Sequence, residues 1–453
     1  LINKIQAFLG RSALSRELSL NAMGSVLVKL GGTGLALLLT MLLARVMGAE
    51  GYGIYSYALS LVLLLTVPAQ LGLPNLLVRE TAKAQANEDW QIMRGLWRWS
   101  TGLAGLLSVL IAAVAWAVLI VWADSFNTEQ RATLVPALLL IPFITLGNLR
   151  DSALRGLRHV VLGQLSETVL RPGLLLIVLL ILGWVWQDYR FTSAQVMGVN
   201  CAAAGAAFVI ISFLLNRKTP SAFLDSPPCY HSGQWLRSAL PLAFVVGMFM
   251  INQHVSVLIL GYVCTPTEVG VFKVAISLSS VVIFALQTIN AILAPYYARF
   301  YTQRDMQRLQ RLVMLSSRAV LAFSLPVVAV LIIFGEWLLQ HLFGHDYVLG
   351  YQAMVILALG QLVNAASGSV ALLLNMTGHE RDTAKVIALF AVLNVGLNTV
   401  LIPVLGLIGA AWASAVSTTL WNLVLLWFVY RRLGVVSFAW APSKIFSRSQ
   451  SNS

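Results

Sequence analysis

The chain has 453 residues, of which 58% are hydrophobic and 10% charged, and it carries a formal net charge of +13. So apolar a composition excludes an ordinary water-soluble globular domain. Cys201, Cys229 and Cys264 show no CxxC or Cys/His spacing, which leaves neither a disulfide framework nor a metal knuckle to argue from.

A helix needs ~20 mostly apolar residues to cross a bilayer. Runs of that length recur about twelve times, at roughly 20–44, 54–77, 97–121, 132–149, 163–186, 193–215, 239–262, 269–293, 316–335, 350–374, 384–404 and 407–430. The first run holds Gly24, Gly31, Gly32 and Gly34 around a single cation, Lys29. Helix-perturbing residues follow: Pro68 and Pro74 in the second run, Pro136 and Pro142 in the fourth, Pro172-Gly173 in the fifth and Pro326 in the ninth. Such breaks are tolerated in a membrane where neighbouring helices or a wet cavity satisfy the backbone. The polar, proline-bearing stretch from Asn216 to Ser238 reads as a connector. It divides the chain into an N-terminal lobe (1–216), the connector (217–238) and a C-terminal lobe (239–453).

Two later segments carry patterns of their own. Arg304, Arg308 and Arg311 fall on one helical face and Met306, Leu309 and Val313 mostly on another, which predicts a helix lying on the membrane surface within 294–318. His341 and His345 are spaced i, i+4 in the longest outer loop, open to reading as metal ligands on one helical face or as solvated interfacial histidines.

Of the 30 lysines and arginines, Lys29, Arg171 and Lys273 lie inside spans and Arg45, Arg131 and Arg190 in alternate loops. The other 24 fall in the N-terminus, the loops near 79–98, 150–158, 217–237, 299–318 and 381–385, and the C-terminus. Short loops rich in lysine and arginine stay in the cytoplasm. Both termini and the connector are therefore expected inside, and the basic charge is a topology signal, with no nucleic-acid partner implied.

The two halves also resemble each other. Gly53-Ile-Tyr-Ser-Tyr-Ala-Leu-Ser-Leu recurs as Gly270-Val-Phe-Lys-Val-Ala-Ile-Ser-Leu, with Gly53, Ala58, Ser60 and Leu61 matching Gly270, Ala275, Ser277 and Leu278. Internal repeats of this kind divide many transporters into two bundles that alternate about a substrate path. The expected fold is an all-α polytopic membrane protein of about twelve transmembrane helices, in two pseudo-symmetric six-helix bundles around a central cavity.

Ionisable groups in hydrocarbon are costly and so are functional candidates. Lys29 sits about nine residues into its span, ~13 Å deep at 1.5 Å per residue. Lys273 lies nearer the outer end of the eighth span and either faces a cavity or snorkels. Glu167 and Arg171, at i, i+4 in the fifth span, can pair on one face, as a structural ion pair or as a titrating couple. Asn252, Gln253 and His254 cluster in the seventh span, and Gln287, Asn290, Gln361, Asn364, Asn394, Asn398 and Asn422 scatter amides through the second half.

A family resemblance is carried by the run Leu43-Ala44-Arg45-Val46-Met47-Gly48-Ala49-Glu50-Gly51-Tyr52-Gly53-Ile54-Tyr55-Ser56-Tyr57-Ala58-Leu59. Leu71-Gly72-Leu73-Pro74, Val78-Arg79-Glu80 and Ala153-Leu154-Arg155-Gly156-Leu157-Arg158 add to it. Together these resemble the polysaccharide-export and O-antigen flippases of the multidrug/oligosaccharidyl-lipid/polysaccharide exporter superfamily. The resemblance implies a bacterial inner-membrane transporter, not an enzyme, that moves a polyprenyl-pyrophosphate-linked oligosaccharide by alternating access for O-antigen, capsule or exopolysaccharide assembly. It implies membrane lipids as partners, polysaccharide polymerase and chain-length machinery as further ones, no cofactor, and coupling to a proton or sodium gradient. The candidate substrate-binding residues are then Lys29, Lys273, Arg45, Asn252 and Gln253, and the candidate ion-coupling residues Glu167 and Arg171. Two rivals stand beside this reading: a drug or cation exporter of the same superfamily, expected to place carboxylates in its lobes, and a membrane-embedded glycan polymerase, expected to show paired acidic groups at a membrane face.

Overall fold

The computed structural model describes residues 13–122, 124, 126–185 and 191–439, with side chains from residue 24 onward. Lys4, Arg11, Arg190, Lys444 and Arg448 lie outside that description, as does the side chain of Arg16. The described residues are almost wholly helical and include no strand.

In chain order the helices are α1 (Ala13–Gln70), α2 (Leu73–Ala86), α3 (Trp90–Val121), α4 (Thr128–Gly156) and the short α5 (Leu162–Leu165). A π-helical turn, Ser166–Leu170, joins α5 to α6 (Arg171–Val185), and α7 (Ser193–Lys218) follows. Next come α8 (Ser221–Asp225), α9 (Ser232–Val263), α10 (Pro266–Ser279), α11 (Phe284–Thr302) and α12 (Met306–Leu342). The last described helices are α13 (Tyr351–Ser367), α14 (Val370–Met376) and α15 (Glu380–Leu433).

Ten helical stretches among the described residues are long and apolar enough to cross a membrane. Two of them are double length: 47 residues over Gly24–Gln70 and 54 over Glu380–Leu433. Each is broken by a glycine with positive φ, Gly48 (71°) and Gly406 (53°), a conformation that glycine adopts without strain. At Gly406 the chain turns back on itself, since Gly409 packs on the Leu401 carbonyl and the Ser417 hydroxyl reaches the Phe390 carbonyl at 3.5 Å. A 54-residue helix would otherwise run ~81 Å, well beyond a ~30 Å hydrocarbon core. The architecture is compatible with twelve crossings. Large apolar side chains such as Leu106, Ile177, Ile333 and Val404 stand exposed along these helices, as lipid-facing surfaces do.

The helices form two compact units. One comprises the described residues up to Met47 with Ile54–Met250; the other comprises Gly48–Gly53 with Ile251 onward. The 217–238 connector lies within the first unit and is held there tightly. Arg94 Nη1 donates to the Leu224 carbonyl at 2.6 Å and to that of Ser226, and the Cys229 N–H donates to the Gln91 carbonyl at 3.0 Å. Gly95 sits so close to the Cys229 carbonyl that no side chain fits. Beneath this strap, Leu73, Leu76, Met93, Leu96, Leu154 and Leu215 form a fully enclosed apolar core.

In the second unit, the Gly48–Gly53 turn packs on the start of α10. A Cβ on Gly53 would overlap the Pro266 carbonyl, and one on Gly270 the Ala49 carbonyl. The two glycines that recur 217 positions apart therefore meet. Their neighbours match in burial as well: Ile54 and Val271, Tyr55 and Phe272, and Ala58 and Ala275 are all buried.

Three sequence expectations change. Pro74 does not kink the second span. That span ends at Gln70, and Leu71 and Gly72 turn the chain with positive φ before Pro74 opens α2. No separate surface helix forms in 294–318. Met306–Val313 is the first part of the 37-residue α12, and its apolar stripe packs inward, with Leu309 and Val313 beside Tyr297, Leu373 and Val429. His341 and His345 do not share a helical face, because α12 stops at Leu342 and Gly344 redirects the chain. His341 stacks on Trp337 instead, at 4.6 Å between ring centroids.

The cation bias makes a direct prediction. In a variant lacking Cys201, Cys229 and Cys264, single cysteines at Asp225 and Gln340 should label from opposite faces of the membrane. Labelling of both from outside would contradict the assigned topology.

Candidate functional site

Three contacts tie the first half of α1 to the segment that carries α5 and the π turn. Gly24 packs on Val161, Ser25 Oγ donates to Gln164 Oε1 at 3.0 Å, and Gly32 meets Thr168 closely enough that a Cβ would overlap it. Ser25, Lys29 and Gly32 are spaced by four and three residues, which is one stripe of an α-helix. Lys29 thus lies on the line of contact between two residues that touch the neighbouring segment, yet its own side chain is exposed. Among the described residues it has no ion-pair partner within 4.0 Å.

Beside this contact is a polar cavity of about 170 Å³. Asn148, Asp151 and Arg155 line it from α4, and Gln164, Glu167 and Thr168 from α5 and the π turn. Asp151 is 4% exposed, and its Oδ1 has no hydrogen-bond partner. Arg155 Nη2 donates to Ser152 Oγ at 2.7 Å, while its buried Nε donates to nothing. Gly163 makes the close approach possible: a Cβ there would come within 2.5 Å of the Asp151 carbonyl and 2.6 Å of Arg155 Cγ. Two carboxylates and one guanidinium therefore share one cavity. Its residual charge is −1 when all three are ionised, which one proton or one small cation would neutralise.

Glu167 and Arg171 form no ion pair among the described residues. The turn between them is π-wound, so its backbone bonds run i to i+5, and the i, i+4 alignment expected of an α-helix does not apply. Glu167 faces the cavity that holds Asp151 and Arg155. Asp151 was missed in sequence because it falls just past the apolar run at 132–149. The available signal was its spacing from Arg155, one turn on, with α4 continuing to Gly156.

The other candidates fall in both units. Arg45 is exposed three residues before the Gly48 break. In the second unit, Lys273 is half-buried one turn after Gly270, and the buried Nδ1 of His254 lacks a hydrogen-bond partner. Asn252 belongs to an amide ladder: Asn394 Nδ2 donates to the Asn252 carbonyl at 3.3 Å, and Asn398 Nδ2 to Asn394 Oδ1 at 2.8 Å. Gln253, next along α9, is exposed. Asn252 is thus engaged in holding α9 to α15, and Gln253 stays available.

Comparison with known proteins adds an independent line. The family described as polysaccharide biosynthesis protein matches residues 20–301, and the MatE family matches residues 241–400. Stage V sporulation protein B of Bacillus subtilis is 26% identical over 195 residues, 41% of this chain and 37% of that protein. A probable low-salt glycan biosynthesis flippase, Agl15 of Haloferax volcanii, is 21% identical over 161 residues, 36% of this chain and 34% of that protein. The matched part spans about a third of the length of each of these curated relatives. Among solved structures, an inward-facing multidrug transporter of the MATE family superposes with a TM-score of 0.72 at 15% identity, over 90% of this chain and 98% of that one. The lipid II flippase MurJ, in an inward closed conformation, gives 0.70 at 13% identity, over 90% and 87%. At such identities these two likenesses speak for the fold.

Proposed function

The chain belongs to the polysaccharide biosynthesis protein family, and we propose that it is a flippase for a polyprenyl-pyrophosphate-linked oligosaccharide, serving O-antigen, capsule or exopolysaccharide assembly at a bacterial inner membrane. Lys29 carries this reading. A lysine near the centre of a bilayer costs ~2.5–3.5 kcal/mol on insertion scales, so an exposed one without a carboxylate partner calls for water or an anion. A phosphate group entering the aqueous path accepts charge-assisted hydrogen bonds from its ammonium. Lys273 and Gln253 are further candidates for contact with the phosphate and the sugars, and the lipid tail remains in the bilayer throughout. Alternation of two conformations supplies the direction of access.

Glu167 and Asp151 extend the proposal to coupling. A carboxylate pair that shares one arginine can take up a proton or a sodium ion in one conformation and release it in the other. Polysaccharide polymerase and chain-length machinery are the partners expected downstream.

The same pair favours a second reading, a drug or cation exporter, because carboxylates within a lobe, here the buried Asp151 and the exposed Glu167, are what such a protein needs. The two diverge at Lys29. Lys29→Ala should keep normal abundance in the membrane and abolish glycan export in cells, while Lys29→Arg retains part of it. A well-expressed Lys29→Ala protein with unimpaired export would remove Lys29 from the path. Efflux of a cationic dye by the native protein, without glycan export, would establish the exporter reading instead.

A further inference from the structure

A second cavity, of about 620 Å³, lies elsewhere in the first unit, where α3, α4 and α7 meet the connector helix α8. That volume falls within the ~300–1,000 Å³ typical of small-ligand sites. Arg94, Arg98 and Arg150 line it, together with Thr101, Asn216 and Thr219, and no carboxylate does. Arg94 is engaged by the Leu224 and Ser226 carbonyls. Arg98 and Arg150 have no ion-pair partner within 4.0 Å among the described residues. Two guanidinium groups thus face one concave space on the side that the cation bias assigns to the cytoplasm. A guanidinium binds phosphate oxygens with paired, charge-assisted hydrogen bonds.

The wall of the cavity continues into the membrane. Arg98, Gly102, Gly105 and Val109 follow one another at four, three and four residues along α3, so they share one stripe. Gly102 is exposed, and a Cβ there would meet nothing within 4 Å. Beyond the two glycines the surface turns apolar and exposed at Leu106 (68%) and Val109 (60%). The cationic pocket is thus followed along α3 by two glycines and then by exposed apolar side chains.

We infer that the cavity lined by Arg98 and Arg150 binds the phosphate headgroup of a lipid, with an acyl or prenyl chain lying along the Gly102–Val109 stripe of α3. The lipid is either an anionic phospholipid of the cytoplasmic leaflet or a polyprenyl pyrophosphate arriving from it. The inference goes beyond the flippase reading and is tested without measuring transport.

Native mass spectrometry of the full chain released from micelles would offer phosphatidylglycerol, undecaprenyl pyrophosphate and phosphatidylcholine in separate arms. One of the two anionic lipids should bind in preference to phosphatidylcholine, and the arm in which binding occurs identifies the source. The double variant Arg98→Gln/Arg150→Gln should weaken that binding about tenfold or more, ~1.4 kcal/mol. Gly102→Leu, which fills the mouth of the cavity and leaves every charge in place, should weaken it comparably. Folded double variant with native affinity, or equal binding of phosphatidylcholine by the native protein, would overturn the site. Competition by inorganic pyrophosphate as strong as that by the whole lipid would overturn the role of the Gly102–Val109 stripe.

Discussion

Gly53→Leu and Gly270→Leu should each leave little folded protein in the membrane. At both positions the obstructing atom is a backbone carbonyl, of Pro266 for Gly53 and of Ala49 for Gly270. A side chain there cannot be accommodated by a rotamer change; the Gly48–Gly53 turn and the start of α10 must separate. Overpacking of a close contact costs ~1–3 kcal/mol and more where backbone has to move, against a total stability of ~5–15 kcal/mol. Because both substitutions break one contact, the double variant should be scarcely worse than either single one, the non-additivity expected of touching residues. Gly396→Ala, where a Cβ meets nothing within 4 Å, serves as the control and should be neutral. Fluorescence-detected size-exclusion of detergent extracts reads all four variants. A monodisperse Gly53→Leu protein at native yield would show that the two repeat glycines do not meet.

Asp151→Asn should yield normally folded protein whose translocation no longer responds to an imposed ion gradient, its initial rate falling about tenfold or more, ~1.4 kcal/mol in the barrier. The amide keeps the shape of the buried side chain and removes the charge that a proton or cation would neutralise. Glu167→Gln should act in the same direction. Arg155→Met should fail differently: it leaves two carboxylates in one cavity with no cation, and stripping a buried charge of its partner costs ~3–5 kcal/mol. Loss of folded protein is the expected readout there. Gradient-driven transport by Asp151→Asn at the native rate would reduce the cavity to a structural cluster.

The length of apolar runs was enough to find the long helices, because a bilayer demands extended uninterrupted apolar stretches. The positive-φ breaks at Gly48 and Gly406 fall where apolar runs were already separated. Failures came where local pattern met tertiary packing. The apolar stripe of Leu309 and Val313 has the same spacing whether it faces lipid headgroups or the Tyr297 core, so amphipathicity alone could not choose. Spacing by four suggested that Glu167 pairs with Arg171, but a π turn has no signature in a single sequence and hands Glu167 to a different cavity. Asp151 was hidden by a hydropathy boundary that α4 overruns by two turns. The meeting of Gly53 with Gly270 was half legible: the repeat was visible, the contact between its copies was not.

The most direct test of the central claim is reconstitution. Purified protein in liposomes that carry a fluorescent polyprenyl-pyrophosphate oligosaccharide on one leaflet would be probed with a membrane-impermeant lectin or quencher. The account predicts protein-dependent transfer of the glycan to the other leaflet, lost in Lys29→Ala and present in part in Lys29→Arg. Liposomes in which the native protein moves no lipid-linked glycan, yet extrudes a cationic dye along an ion gradient, would contradict it.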